Sequence, residues 1–273
     1  MDKKGTYAQR FEKGFKLLTY SRSPYEVWSD LMYLFAVEIS NTCTRPLKDT
    51  EPFKKVWNNR EEQYKRIAKK YNEKERTRII PQMFTLLVME LERNPDQDFL
   101  GAMYMTLGIG NQNAGQFFTP YSVCSAMSSI TINKDFLRKQ VKEKGFVSIY
   151  DCACGAGATL IAAISECREL FKRLNFQNHV WFAAQDLDIT VANMCYIQLS
   201  LLGVAAIVKV GNTLTDPEFR FNEKTAGQFY FSPMWFSDVW TMRRLFHNLD
   251  ICMNEVDKNN GKQNVEEKKC RPE

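Results

Sequence analysis

The sequence predicts an α/β fold, a parallel sheet flanked by helices and preceded by a helical N-terminal region. Three observations carry that prediction. From about Gly115 to Phe246, short apolar runs alternate with helix-patterned stretches, the signature of strand–helix–strand units. The run Phe146-Val147-Ser148-Ile149-Tyr150 ends on Asp151 and enters a loop with two glycines, Gly155 and Gly157. Upstream, residues 24–107 carry apolar residues at helical spacing.

Taken in order, Ser23 and Pro24 open an amphipathic helix to Ile39, since proline suits the first helical position. Thr50–Lys74 and Arg76–Arg93 read as further helices. Asn94-Pro95-Asp96 breaks the pattern, and Phe99–Leu107 resumes it as a short apolar helix. Phe146–Tyr150 is the first strand and Ala158–Ile164 begins the helix after it. His179–Ala184 is a second strand, ending at Gln185-Asp186-Leu187-Asp188. Ile189–Leu202 is helical and stops at Gly203, a C-cap residue. Ala205–Val210 is a third strand, followed by Gly211-Asn212-Thr213-Leu214. Gln228–Phe231 is a fourth, followed by Ser232-Pro233-Met234-Trp235, and 238–246 can supply one more helix.

The strand ends point to a ligand. Glycine permits tight turns and close approach of backbone to a bound molecule, and open α/β sheets bind ligands beyond the carboxyl ends of their strands. The loop is neither the dinucleotide Gly-x-Gly-x-x-Gly nor a phosphate loop, because no Gly-Lys-Ser/Thr follows. An acidic residue ending the second strand can accept from both hydroxyls of a ribose. Asp186 suits that role, and Asp188 suits helix capping. The alternative for the glycine loop is a structural turn between a buried strand and its helix.

Four short boxes together resemble a known family. Gly115-Gln116-Phe117-Phe118-Thr119-Pro120 is similar to the Gly-Gln-Phe-Phe-Thr-Pro box of adenine-N6 DNA methyltransferases related to type I restriction-modification methylation subunits. Asp151-Cys152-Ala153-Cys154-Gly155-Ala156-Gly157 resembles that family's cofactor loop. Gln185 to Asp188 and Gly211 to Leu214 resemble its next two elements, in the same order. The resemblance implies a Rossmann-like S-adenosylmethionine-dependent methyltransferase sheet whose later strands are missing, with S-adenosyl-L-methionine as cofactor. By the same resemblance Phe117, Thr119 and Pro120 pack around the cofactor. Asp151, Gly155 and Gly157 approach its methionine end, Asp186 holds the ribose, and Asn212 lies near the adenine in place of the usual aspartate. No metal is implied.

The resemblance further implies that Ser232, Pro233 and Trp235 hold a base flipped out of the duplex. A side-chain acceptor and a backbone carbonyl would bind the amino protons, and the aromatic ring would stack on the base. Met234 stands where the family has a second proline, and serine in the first position also occurs in cytosine-N4 enzymes. Three functions therefore stay open: adenine-N6 methylation, cytosine-N4 methylation, and a non-catalytic relative that binds cofactor or DNA as a regulatory or assembly subunit.

Composition fits an intracellular chain. Its 273 residues suffice for one α/β core and a helical region. No apolar run reaches membrane-span length and no signal-peptide pattern opens the chain, so a cytoplasmic location is expected. The eight cysteines lack zinc-site spacing and are expected to be reduced. The net charge of +5 is a mild basic excess. A stretch from Lys54 to Arg78 is rich in lysine and arginine, but glutamates interrupt it, so a solvated face competes with phosphate contact. The expected organisation is a helical region over 1–110, the methyltransferase domain over 111–252 and a polar, disordered tail over 253–273. No target-recognition region is expected after Trp235, so site choice is expected to come from a partner subunit, to be loose or to be lost. DNA and a specificity subunit are the expected partners.

Overall fold

The computed structural model describes residues 5–109 and 118–246. The described residues divide into two units, one ending at Trp235 and the other beginning at Phe236. In the first unit, the helical N-terminal elements and the sheet share one hydrophobic core that runs from Phe11 to Tyr230.

Helix α1 (Tyr7–Leu18) was not legible as a helix, yet it opens on a reciprocal capping box. Gln9 N donates to Thr6 Oγ1 (3.2 Å) and Thr6 N donates to Gln9 Oε1 (3.0 Å), satisfying two N-terminal donors. Helix α2 (Pro24–Thr44) begins where Pro24 predicts and continues past Ile39. Helix α3 (Phe53–Ala68) is shorter than its pattern. A widened turn over Glu75–Ile79 leads into α4 (Ile80–Arg93), where Pro81 cannot donate and the helical ladder is reset. The short α5 (Phe99–Thr106), α6 (Tyr121–Thr131) and α7 (Lys134–Lys144) follow. Strand β1 (Val147–Asp151), α8 (Ala158–Leu170), β2 (Val180–Asp186), α9 (Ile189–Leu201) and β3 (Ala205–Val210) form two consecutive crossover units.

The sheet order is β1-β2-β3-β4, where β4 is Phe229–Phe231. The first three strands are parallel, with Asp151 beside Ala184 and Asp186 beside Val210. Strand β4 runs antiparallel to β3, pairing Ile207 with Phe231 and Lys209 with Phe229. Its edge position is fixed from outside the sheet. Arg60 of α3 is buried; it donates to Ser40 Oγ and to Phe229 O (both 2.8 Å), and its guanidinium lies 3.9 Å above the Tyr230 ring. The Tyr196 hydroxyl of α9 donates to Phe231 O at 3.0 Å. Within the second unit, 238–246 is helical, and Arg243 stands over the Trp240 ring.

Helix α9 is buried from Thr190 to Ser200, between the sheet on one side and α2 on the other. The junction is built on Trp28. Its ring is fully buried and meets Phe11, Phe15 and Tyr104 edge-on at 5.7–6.2 Å between centroids. Its indole N–H points at Met194 Sδ, 3.4 Å away on α9. Aromatic pairs in such edge-on geometry add to their area burial.

A polar clamp joins the α1–α2 turn to the start of α4. Arg22 donates through both terminal nitrogens to the Glu75 carboxylate (3.1 Å each) and also to Lys70 O and Leu18 O. Glu75 accepts from Asn72 N at 2.8 Å, and Asn72 Oδ1 accepts from Glu75 N at 3.0 Å. Burial alone would push the Glu75 carboxyl up, but the Arg22 and Asn72 hydrogen bonds outweigh it and hold the group below its ordinary value. A depressed folded-state pKa stabilises the fold above the unfolded value and loses that contribution as pH falls. Arg22→Ala is therefore expected to cost about 2 kcal/mol at neutral pH, a partly buried pair being worth less than a fully buried one. The difference from wild type should shrink below about pH 4.5. Urea titrations at pH 7 and pH 4 measure both.

Part of the basic stretch is structural. Arg60 is buried, and Lys70 donates to Glu26 and to both oxygens of Asp30. Among the described residues, no helix is long and apolar enough to cross a membrane.

Candidate functional site

The parallel register brings Asp151, Asp186 and Gly211 to one edge of the sheet, at the carboxyl ends of β1, β2 and β3. The glycine loop is arched over this edge by hydrogen bonds to β2. Cys154 N donates to Gln185 O (3.0 Å), and Gly155 N donates to Asp186 Oδ2 (2.9 Å). The second Asp186 oxygen accepts from Asp188 N at 3.0 Å. Gly155 and Gly157 have φ of 54° and 98°, left-handed values that side-chain-bearing residues rarely adopt. Asp151 closes the loop from below, accepting from Ala153 N (3.0 Å) and from the Thr159 hydroxyl.

Gly157 is the N-cap of α8 and packs on α9, with room for nothing larger. Phe118 lies over Gly155: a Cβ at that glycine would meet the Phe118 ring at 3.4 Å. The same ring packs on Tyr104 at 5.3 Å. Thr119 and Pro120 are exposed beside it, Pro120 as the N-cap of α6. Phe117 lies outside the described residues. A cavity of about 120 Å³ opens here, lined by Asp98, Phe118, Thr119, Cys124, Cys154 and Gly155 among others. None of the lining residues is a lysine or arginine.

Asp188 caps α9, accepting from Thr190 N (2.7 Å) and Val191 N (3.4 Å), as its position suggested. Asn212 is exposed at the end of β3, and its Oδ1 accepts from Leu214 N at 2.9 Å. The loop it opens is tied back across the sheet by two residues that sequence reasoning missed. Lys209, buried in β3, donates to Asp216 O (2.8 Å) and Glu218 O (2.6 Å) and pairs with the Asp216 carboxylate. Gln185 donates to Asp216 O at 2.9 Å and accepts from the Tyr150 hydroxyl at 3.2 Å. The signal for Lys209 was a single cation inside an apolar strand, since a buried charge needs dedicated partners.

Asp151, Gly155, Gly157, Asp186, Asn212, Thr119 and Pro120 are thus found around one end of the sheet. Ser232, Pro233 and Trp235 are not. Because β4 runs antiparallel, it delivers them to the opposite end, beside the start of β3. Ser232 N donates to Ala206 O at 3.0 Å. The Ser232 hydroxyl donates to Val204 O (2.7 Å) and accepts from Ala206 N (2.8 Å). Trp235 packs against Trp181, near the start of β2, at 5.4 Å and against Phe231 at 6.1 Å. Ser232, Pro233 and Trp235 thus follow the fourth strand as expected, and the antiparallel pairing of that strand sets them at the end of the sheet away from the glycine loop. Ser232→Ala is expected to cost about 1–3 kcal/mol, through the β3 groups it leaves unpaired, and to leave ligand affinity unchanged. Denaturation and calorimetry on one preparation check both.

The described cysteines Cys43, Cys124, Cys152, Cys154, Cys167 and Cys195 are free. The neighbouring Cys195 thiol and burial push Cys154 up, so it stays a neutral thiol and not a nucleophile.

Residues 96–265 match the family model described as N-6 DNA Methylase. Among solved structures, the chain is similar to the type I restriction-modification system methyltransferase subunit from Streptococcus thermophilus, at 15% sequence identity and a TM-score of 0.42. That alignment covers 80% of this chain and 60% of the other, so the chain spans less than two thirds of that subunit's length.

Proposed function

The chain belongs to the N-6 DNA methylase family, and from that membership we propose that it binds S-adenosylmethionine across the carboxyl ends of β1–β3 and serves methyl transfer to the N6 amino group of adenine in DNA. The observation that carries this reading is the Asp186 clamp, which shapes the glycine loop and sets a carboxylate at the end of β2. Each Asp186 oxygen accepts one backbone N–H and keeps lone-pair capacity for a ribose hydroxyl. Asp151 and Thr159 hold the loop through which Gly155 and Gly157 approach the methionine end. Thr119 and Pro120 flank the cofactor, and Asn212 faces its adenine.

The lining fits this cofactor better than a phosphate-bearing one. A phosphate site commonly calls for cations, whereas the described lining of this cavity carries Asp98 and no basic side chain. When bound, S-adenosylmethionine supplies an activated methyl group on a sulfonium. The chain's own part is to bind, orient and shield it from water. The base and the recognition sequence are read with a partner, a specificity subunit being the expected kind.

A second reading is favoured by one observation. The hydroxyl of Ser232 is committed to β3 at the far end of the sheet, away from the glycine loop. Cofactor binding without transfer, in a regulatory or assembly role, follows from that placement. Calorimetry with S-adenosylmethionine tests the shared premise. Asp186→Ala is expected to weaken binding about 100-fold, equivalent to about 2.7 kcal/mol, and absence of binding by the wild type would overturn both readings. Sequencing host DNA for modified bases with the gene intact and deleted separates them: loss of N6-methyladenine at a motif supports transfer, and no change supports binding alone.

A further inference from the structure

One buried carboxylate beside the glycine loop has a role that the fold uses only in part. Asp98 sits at the N-cap of α5 and is 6% exposed. Its Oδ1 accepts from Gly101 N (2.8 Å) and from Gln198 Nε2 (2.8 Å). Gln198 in turn donates to Ala156 O (2.9 Å) in the glycine loop and accepts from Leu100 N (3.1 Å). The capping and bridging functions are therefore complete at Oδ1. Among the described residues no donor reaches Oδ2, and no cation pairs with the group.

The chain nevertheless keeps space for that second oxygen. Gly101 lies one helical turn on, and a Cβ there would stand 2.0 Å from Oδ2. Asp98 lines the same cavity as Phe118, Thr119, Cys154 and Gly155. An ionised carboxylate left unpaired in so buried a place is costly, and burial pushes the Asp98 carboxyl up, its hydrogen bonds from Gln198 and Gly101 notwithstanding. A helix cap alone calls for no such burial, since exposed aspartate caps equally well. What completes the site is a small cation with N–H donors, delivered into the cavity.

We propose that Asp98 is a cofactor-binding residue whose Oδ2 accepts from the α-ammonium group of the methionine end of S-adenosylmethionine. The inference rests on the proposed function and assigns a new residue to the same site. The ammonium, with three donors, satisfies the orphaned oxygen; the sulfonium, with none, does not. Gln198 then acts as a positioning residue, tying Asp98 to the backbone of the loop that cradles the same end of the ligand.

The test uses S-adenosylhomocysteine, which keeps the ammonium and lacks the sulfonium methyl, and its analogue without the α-amino group. Wild-type chain is expected to prefer S-adenosylhomocysteine by about 10–100-fold, the range for hydrogen bonds to a charged group. Asp98→Asn keeps a capping side chain and should bring the two ligands within about threefold of each other, by loss of affinity for S-adenosylhomocysteine alone. Preference undiminished in Asp98→Asn overturns the proposal. So does equal binding of the two ligands by wild type, which leaves the cofactor reading standing. Absence of binding by either ligand overturns both. Should Asp98→Asn fail to fold, the affinities of the wild type for the two ligands decide: a preference of about 10-fold or more for S-adenosylhomocysteine is expected, and equal affinity overturns the assignment.

Discussion

Trp28→Ala is expected to lower folding stability by about 3–5 kcal/mol, the range for removing a large aromatic side chain from a core. The upper half of that range applies for three reasons. The ring is fully buried, it touches three other aromatic rings on α1 and α5, and its N–H is directed at Met194 on α9. Neighbours from separate helices cannot all close on the void without shifting against one another, so the cavity persists. A loss of this size is a large part of the total stability of an ordinary domain. Trp28→Phe retains an aromatic ring and should recover more than half of it. Equilibrium urea unfolding, read by circular dichroism, gives both differences; a cost below about 1 kcal/mol for Trp28→Ala would show the junction to be loosely packed.

The second large effect falls on the ligand site. Gly157→Ala faces two separate penalties. At φ 98° and ψ 13° the backbone is strained for any residue with a side chain, at about 1–3 kcal/mol. The new Cβ would also lie 3.0 Å from Cys195 Sγ and 3.4 Å from Cys195 Cα, so α9 or the loop must give way. Because the same loop is hydrogen-bonded to Gln185 and Asp186, its displacement reaches the carboxylate proposed to hold the ribose. Loss of S-adenosylmethionine binding by more than about 10-fold is expected, together with a lower melting temperature. Adding Cys195→Ala removes the contact with sulfur but not the φ strain, so the double variant should recover only part of the stability. Full recovery would mean that the backbone conformation is not strained.

Much of the site was readable from the chain because its residues sit where short apolar runs stop. Phe146–Tyr150, His179–Ala184 and Ala205–Val210 each end in polar or glycine residues, and parallel pairing must then bring those ends together. The split between Asp186 and Asp188 was readable too, since a cap precedes its helix and a strand-end carboxylate precedes the cap. Strand β4 was a different matter. Phe229-Tyr230-Phe231 is apolar on both faces and three residues long, so no period distinguishes one direction from the other. Its direction is decided by partners far along the chain: Arg60, Tyr196 and the β3 backbone that binds Ser232. The same distance hid Asp98, whose partner Gln198 is 100 residues away. Helix α1 was missed for a local reason. Its capping box, Thr6 to Gln9, is present in the sequence, but a cap alone does not mark a helix.

The contact between Trp28 and Met194 has a consequence for how the protein is made. The two residues are 166 positions apart, and a ribosome adds roughly 5–20 residues per second. For about 8–33 s, therefore, α2 emerges with Trp28 lacking the α9 surface, around Met194, against which it packs. During that interval the nascent chain displays a sticky aromatic patch to its surroundings. Chaperone capture or clumping at high expression is the natural hazard of such an order of synthesis, and slower growth at low temperature would trade yield against it. A fold that closes its first helices with one of its last is finished late.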